Sequence, residues 1–210
     1  HFRVRAAKSQ RPDGGSELRV RDTEASPWRV LASWGPDDQG GALGWTPAGD
    51  ALYVETSLGD DTSRLVVLGL DGAETAVFHD ARADLGGAMF HPTDYRLQAV
   101  SVEPDRSEWT VLDPEVKADF TALAAVCPGD FEVLSRDDAD RLWVVFFNND
   151  TRPPCYYLYD RAAKKAEFLF STRPALEGAA LGAMEPVSFP ARDGLTLRGY
   201  LTLPPGGGKG

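Results

Sequence analysis

The fold is decided by the stretch Trp45-Thr46-Pro47-Ala48-Gly49-Asp50-Ala51-Leu52-Tyr53-Val54-Glu55-Thr56, in which an apolar anchor and a turn lead into an alternating strand. The same pattern returns at 90–101 and again at 134–145. The anchors Trp45, Phe90 and Leu134 are therefore 45 and 44 residues apart. A fixed period of this length is the signature of a repeat architecture.

Each repeat continues with two further strand-like segments. Short runs rich in β-branched and aromatic residues, bounded by Gly, Pro and Asp, are typical of strands. The predicted third strands end in Asp and cover 17–22, 65–71, 109–113 and 156–160. The predicted fourth strands cover 28–31, 75–78, 120–123 and 167–170.

Four short strands in about 45 residues, repeated, predict the blades of a β-propeller. We expect an all-β fold with a partial propeller of about four four-stranded antiparallel blades, at about 1–41, 42–86, 87–130 and 131–174. The first blade is expected to lack its inner strand, with His1–Arg5 as its second strand. Because an open stack of blades leaves sheet edges unpaired, we expect missing residues, a partner segment, or association through those edges.

Composition excludes several classes of partner. The 210 residues contain 22 basic and 32 acidic side chains, for a formal charge of −10, so neither nucleic acid nor an anionic membrane is an expected partner. The sequence has no signal-peptide pattern and no apolar run long enough to span a bilayer. Two cysteines, Cys127 and Cys155, are too few for a disulfide framework and are expected to be reduced and structural. We therefore expect a cytoplasmic protein.

The last repeat and the segment after it carry a more specific signal. It consists of Pro153-Pro154-Cys155-Tyr156-Tyr157-Leu158-Tyr159-Asp160, followed by the exit sequence Met184-Glu185-Pro186-Val187 and the turn Arg192-Asp193-Gly194 before Leu195-Thr196-Leu197-Arg198-Gly199-Tyr200. Asp193-Gly194 is also a good hairpin turn in its own right. These segments resemble the prolyl oligopeptidase family of serine peptidases, and most closely its acylaminoacyl-peptidase branch.

The resemblance implies two domains with different functions. In that family a propeller admits short peptides to an α/β-hydrolase domain, which carries a Ser-Asp-His triad with its serine on a Gly-x-Ser-x-Gly elbow. No such elbow is present; the nearest match, Gly14-Gly15-Ser16-Glu17-Leu18, fails at its last position. We therefore expect a propeller at 1–183, with 184–210 forming a linker and the first hairpin of a missing hydrolase domain. No catalytic residue and no cofactor is expected in this chain.

Three arginines are the candidates for substrate gating. Arg136 and Arg141 flank the innermost strand of the last blade, and Arg152 lies just beyond it. Inner strands line the channel of a propeller, where an arginine can bind a peptide carboxylate in bidentate fashion. Surface salt bridges to the many aspartates are the alternative interpretation of all three.

Other residues that could carry chemistry have simpler explanations. His91 lies in the repeated turn, and His79-Asp80 lies at the end of a strand, so both are expected in turns rather than in catalysis. Asp60-Asp61 and the group Asp137, Asp138 and Asp140 lack the glycine and distal glutamate of a calcium loop, so no metal is expected. The aromatic residues of the strands are expected in the core between blades.

Two rival functions remain. A non-enzymatic propeller of the TolB-like or WD-repeat kind, acting as a protein-binding scaffold, fits the repeats equally well but gives no role to the strands after residue 186. A propeller glycosidase needs paired carboxylates on inner strands, and Asp94, Asp138 and Asp140 are too close to turns for that.

Overall fold

A computed structural model describes residues 3–206, so residues 1–2 and 207–210 lie outside the described part. The fold is nearly all β, with 47% strand and 7% helix, as expected. The chain divides into two compact units, with the boundary between Asp113 and Pro114. Within residues 3–206, no helix has the length and apolar character needed to cross a membrane.

The first unit contains three antiparallel sheets whose strands are neighbours in chain order. The first sheet has three strands, β1 (Ala6–Gln10), β2 (Ser16–Val20) and β3 (Arg29–Trp34). The second has four strands, β4 (Gly40–Trp45), β5 (Ala51–Thr56), β6 (Arg64–Gly69) and β7 (Glu74–Phe78). The third has three strands, β8 (Leu85–Phe90), β9 (Leu97–Val102) and β10 (Glu108–Val111).

The predicted repeats correspond to these sheets. The strand predicted after the Trp45 turn is β5, with identical bounds. The first sheet has three strands, as expected of a blade without its inner strand, although its first strand begins at Ala6 and not within 1–5. The repeated turn closes as predicted, because Thr46 accepts a hydrogen bond from Gly49 and donates one to Ala51.

The core of the first unit lies between sheets. Leu18, Val20 and Trp34 of the first sheet share one apolar cluster with four residues of the second sheet, Leu52, Val54, Val66 and Leu68. The Trp34 indole N–H donates to Thr56 Oγ1 at 3.0 Å, which satisfies its only polar atom inside the core. Each sheet thus buries its apolar face against its neighbour, as propeller blades do.

The second unit contains one helix and two sheets. Helix α1 (Pro114–Ala124) comes first. A four-stranded antiparallel sheet follows, formed by β11 (Asp130–Arg136), β12 (Leu142–Asn148), β13 (Cys155–Asp160) and β14 (Lys165–Ser171). A short 3₁₀ turn at Pro174–Leu176 leads to the hairpin of β15 (Met184–Pro190) and β16 (Thr196–Thr202).

Helix α1 corrects the sequence-based prediction. The segment 120–123 was expected to be the fourth strand of the third blade, but it lies inside the helix, so that sheet keeps three strands. Pro114 occupies the first helical position, where proline is favoured. Val116, Phe120 and Leu123 are buried and recur at helical spacing, a period that the alternation of Phe120 and Ala122 concealed.

The hairpin expected after residue 186 is present. Its strands pair from Met184 with Thr202 to Pro190 with Thr196. The connection spans residues 191–195, with Gly194 at φ +91°, a left-handed conformation that glycine adopts without strain. The hairpin is therefore longer at its start than predicted and closes through a wider turn.

A buried carboxylate joins α1 to the four-stranded sheet. Asp119 is fully buried and accepts hydrogen bonds from the Tyr159 hydroxyl at 2.9 Å and Arg161 Nε at 3.1 Å, and it also pairs with Lys164. Burial, and next the hydrogen bond to Asp119, raise the pKa of Tyr159. All the partners of Asp119 come from β13 and the turn after it, so this cluster holds the helix to the sheet.

We predict that Asp119→Ala lowers the free energy of unfolding by about 3 kcal/mol. This is the lower end for a broken buried ion pair, because Arg161 and Lys164 keep some contact with water. Chemical denaturation measures the change. The matched control is Asp138→Asn in an exposed turn, for which we expect less than about 0.5 kcal/mol. Equal losses in the two variants would contradict the structural role of Asp119.

Candidate functional site

A groove of about 520 Å³ lies at one end of the four-stranded sheet of the second unit. Its walls come from the loop after α1, from the β12–β13 loop, from the ends of β13 and β14, and from residues 176–179. We call it the Arg152 groove. Its charged, thiol and phenol side chains are those of Cys127, Arg152, Cys155, Tyr157 and Glu177.

The β12–β13 loop is held by local hydrogen bonds. Asn149 Nδ2 donates to the Pro128 carbonyl at 2.5 Å, and Asn149 Oδ1 accepts both the backbone N–H and the hydroxyl of Thr151 at 2.8 Å. Gly129 lies so close that a Cβ there would be 2.3 Å from the Asn148 carbonyl oxygen, so only glycine fits. The loop is therefore fixed against the segment that follows α1.

The same loop contacts the start of the hairpin. Asp150 Oδ2 accepts the backbone N–H of Met184 at 2.6 Å, and Met184 is the first residue of β15. The Arg152 groove thus lies on the side of the sheet from which the chain continues into the hairpin.

Arg152 and Glu177 give the groove one charge of each sign. Both side chains are exposed, and neither forms an ion pair or a side-chain hydrogen bond with another residue in the described range 3–206. An unpaired guanidinium can bind a carboxylate with two parallel hydrogen bonds, and an unpaired carboxylate can bind an ammonium group. The groove can therefore bind an ion of either sign, or a molecule that carries both.

Two buried thiols form the floor of the groove. Cys127 and Cys155 are both free and buried, as expected for structural cysteines. Burial raises the pKa of Cys155, and the neighbouring Cys127 thiol raises it further, whereas the Tyr157 hydroxyl and Arg152 lower it. The pKa of Tyr157 is also raised, mainly by burial. At neutral pH the Cys155 thiol is thus held in its protonated form.

The other two candidate arginines are paired within the fold. Arg136 Nη1 lies 3.1 Å from Asp140 Oδ1, and the Arg136 side chain is only 6% exposed and lies over the Trp143 ring. Arg141 Nη2 lies 3.0 Å from Asp160 Oδ2, and this interaction raises the pKa of Arg141. The structure therefore brings neither into the groove with Arg152. Their part in substrate gating stays a prediction.

The histidines and aspartates form turns and ion pairs. His91 Nδ1 accepts the Asp94 backbone N–H at 3.3 Å, and His79 Nε2 lies 2.9 Å from the Thr62 hydroxyl. Asp137 Oδ1 accepts the backbone N–H groups of Arg141 and Leu142, which lowers its pKa. Among the residues that the structure describes, no group of three or more His, Cys, Asp or Glu side chains could hold a metal ion.

Three strand aromatics lie in the core of the second unit's large sheet, whereas Phe168 and Phe170 of β14 are about half exposed. Trp143, Phe147 and Tyr159 are fully buried, as expected. The helix joins this cluster through Phe120, whose ring centre lies 5.5 Å from that of Phe131. In the first unit Trp28 departs from the expectation, because it is 38% exposed and lies under Arg21.

Sequence reasoning named Arg152 as a candidate, and its role stays a prediction, but it did not associate Arg152 with the residues that line the groove beside it. Cys127, Cys155 and Glu177 are distant in sequence and come from three different loops and strands. Only the pairing of β12 with β11 and β13, which places Phe147 opposite both Phe131 and Cys155, brings these segments to one end of the sheet. No local motif encodes that convergence.

Two curated proteins are similar to almost the whole chain. The dipeptidyl aminopeptidase BIII of Pseudoxanthomonas mexicana is 37% identical over 211 residues, which cover 97% of this chain and 30% of the relative. The dipeptidyl peptidase family member 6 of Caenorhabditis elegans is 31% identical, covering 96% of this chain and 29% of the relative.

The chain is a relative of the prolyl oligopeptidase-type peptidases. The resemblance carried by the exit sequence is thereby confirmed. The chain spans about 30% of the length of the curated relatives that it matches. No model of a protein family matches it.

Solved structures support the propeller fold. A puromycin-hydrolyzing peptidase of Mycobacterium tuberculosis superposes with a TM-score of 0.62 at 19% identity, covering 93% of this chain and 31% of its own. The expected branch is represented by the acylaminoacyl peptidase of Pyrococcus horikoshii, with a TM-score of 0.55, 14% identity, and 95% and 30% coverage. At these identities the likeness concerns the fold alone.

The raised pKa of Cys155 predicts slow alkylation at neutral pH. The thiolate is the reactive form, so the rate with iodoacetamide should rise with pH, with a midpoint above that of free cysteine. Arg152→Gln removes a charge that lowers this pKa and should move the midpoint higher still. The tryptic fragment 142–161, followed by mass spectrometry, reports the rate.

The matched control is Arg29→Gln, an exposed arginine of the first unit, which should leave the midpoint unchanged. A midpoint at or below that of free cysteine would show that the Cys155 thiol is not in a buried, thiol-paired site.

Proposed function

We propose that this chain is the propeller part of a serine peptidase of the prolyl oligopeptidase type that hydrolyses short peptides. Residues 1–183 form the propeller, 184–210 form the linker and first hairpin of an α/β-hydrolase domain, and the catalytic triad lies in that domain. The proposal is supported by the two peptidase relatives, of which this chain spans about 30%. A cytoplasmic location and association through sheet edges stay predictions.

The observation that carries the proposal is the position of the Arg152 groove. Asp150, in the loop that bears Arg152, accepts a hydrogen bond from the Met184 backbone N–H. Met184 is where the chain enters the hairpin assigned to the hydrolase domain. A substrate that moves from the propeller to that domain would pass this side of the sheet. Arg152 and Glu177 would then contact it first.

The charges of the groove suit a peptide with free ends. Glu177 can bind the ammonium group of a free amino terminus, and Arg152 can bind a carboxylate of the peptide. One curated relative is named an aminopeptidase and both names contain dipeptidyl, which describes those proteins. For this protein we accordingly propose short peptides with free amino termini as substrates.

A scaffold function is the less supported alternative. It gives no role to β15 and β16, which expose Phe189, Leu197 and Tyr200 on an isolated two-stranded sheet. A two-stranded hairpin is only marginally stable without further packing. The peptidase proposal supplies a domain against which these side chains would pack.

A fluorophosphonate probe, which labels activated serines, tests where the catalytic residue lies. We expect the full-length protein to be labelled and to hydrolyse dipeptidyl chromogenic substrates. Residues 1–210 alone should show neither labelling nor hydrolysis. Labelling of any serine within 1–210, or a full-length protein that is never labelled, would contradict the proposal.

Steady-state kinetics on the full-length protein test the groove. Arg152→Gln and Glu177→Gln should each lower kcat/KM for peptide substrates about tenfold, because a charge-assisted hydrogen bond contributes about 1.5 kcal/mol. The Glu177 variant should show this decrease in kcat/KM only for peptides with a free amino terminus. It should hydrolyse an N-acetylated peptide at the wild-type rate.

Arg29→Gln, which removes an exposed arginine far from the groove in sequence, is the matched control and should leave kcat/KM unchanged. Wild-type kinetics in both groove variants would exclude the Arg152 groove as the substrate path. The peptidase assignment itself would then still depend on the serine probe.

A further inference from the structure

The two cysteines of the chain meet in the Arg152 groove although they are 28 residues apart. The Cys127 thiol is a close enough neighbour of Cys155 to raise the pKa of the Cys155 thiol. Both are free and nearly buried, with 8% and 9% exposure, and both line the same cavity. Both cysteines are therefore part of the wall of one cavity.

The backbone explains why the two thiols are neighbours. Cys155 pairs with Phe147 across β12 and β13. Two residues after Phe147, the Asn149 side chain is bonded to the carbonyl of Pro128, the residue next to Cys127. The close approach of Gly129 to Asn148 holds this arrangement. The two cysteines are thus positioned by the pairing of β12 with β13 and by the Asn149–Pro128 hydrogen bond.

We propose that Cys127 and Cys155 are a reversible disulfide site inside the groove, oxidised by a low-molecular-weight disulfide such as glutathione disulfide. The Cys127 thiolate attacks one sulfur of glutathione disulfide, which forms a mixed disulfide and releases one glutathione thiolate. The Cys155 thiolate then attacks the Cys127 sulfur and releases the second. Two protein thiols are oxidised by two electrons, one glutathione disulfide becomes two glutathiones, and the thiol protons pass to them.

The disulfide would link two residues that line the groove. It joins the segment after α1 covalently to the first residue of β13, directly after the loop that carries Arg152. The oxidised form therefore adds a covalent link to the hydrogen bond that already joins these two walls of the groove. A buried, loop-fixed thiol pair thus couples the redox state to the shape of the groove.

Disulfide mapping on the full-length protein tests the site. The protein is incubated with glutathione disulfide, quenched with acid, alkylated and digested with trypsin. We expect fragments 118–136 and 142–161 joined in one species, at least about tenfold more abundant from native than from urea-unfolded protein, because the fold holds the thiols together. Cys127→Ser and Cys155→Ser should each abolish that species.

Two results would overturn the site. One is native protein in which both fragments carry the alkyl group after incubation. The other is native protein in which each cysteine carries its own glutathione without any linked species. The comparison of native with unfolded wild-type protein decides the matter even if a serine variant fails to fold.

The effect on turnover rests on the proposed function and is measured separately. Oxidation should lower kcat/KM of the wild type for peptide substrates, dithiothreitol should restore it, and Cys127→Ser should not respond to glutathione disulfide. Normal kinetics in fully linked protein would overturn the effect on the groove while leaving the disulfide in place. Absence of the linked species in an active peptidase would overturn the disulfide alone.

Discussion

The fold depends on one constraint, that the central strands of the second and third sheets are buried on both faces. In β9 five consecutive residues are buried, and in β5 four of six are buried. Such strands cannot lie on a solvated surface, because burying one face would still leave the other in water. These two sheets must therefore be covered on two sides. In the first unit neighbouring sheets provide this cover, with Leu65, Leu85 and Val100 in one shared cluster.

In the second unit a helix covers one face of the large sheet. Phe120 of α1 packs on Phe131 of β11, and Asp119 of the same helix binds β13 and the turn after it. The helix ends at Ala124, and the chain then enters β11 at its first residue, Asp130. The connecting segment contains Cys127 and is hydrogen-bonded to the β12–β13 loop through the Pro128 carbonyl. The Arg152 groove thus arises from the way this helix is fastened.

The sequence predicted the parts of the fold that repeat. The turn at Trp45 and the strand after it were predicted to the residue, because a period of 45 and an alternation of two reinforce each other. It failed at Phe120, where a short apolar segment fits either period and the structure forms a helix that buries Val116, Phe120 and Leu123. Arg152 was predicted as a site residue from its place after an inner strand. Its neighbours Glu177 and Cys127 depend on long-range pairing, which no local pattern encodes.

The central claim is that this chain is the propeller of a peptidase and passes peptide substrates along the Arg152 groove. A crystal structure of the full-length protein with a non-hydrolysable short peptide tests it most directly. We expect the peptide to lie between the hydrolase domain and this groove, with a carboxylate within hydrogen-bond distance of the Arg152 guanidinium. A peptide bound without contact to Arg152 or Glu177, or a full-length protein without a hydrolase domain after Met184, would contradict it.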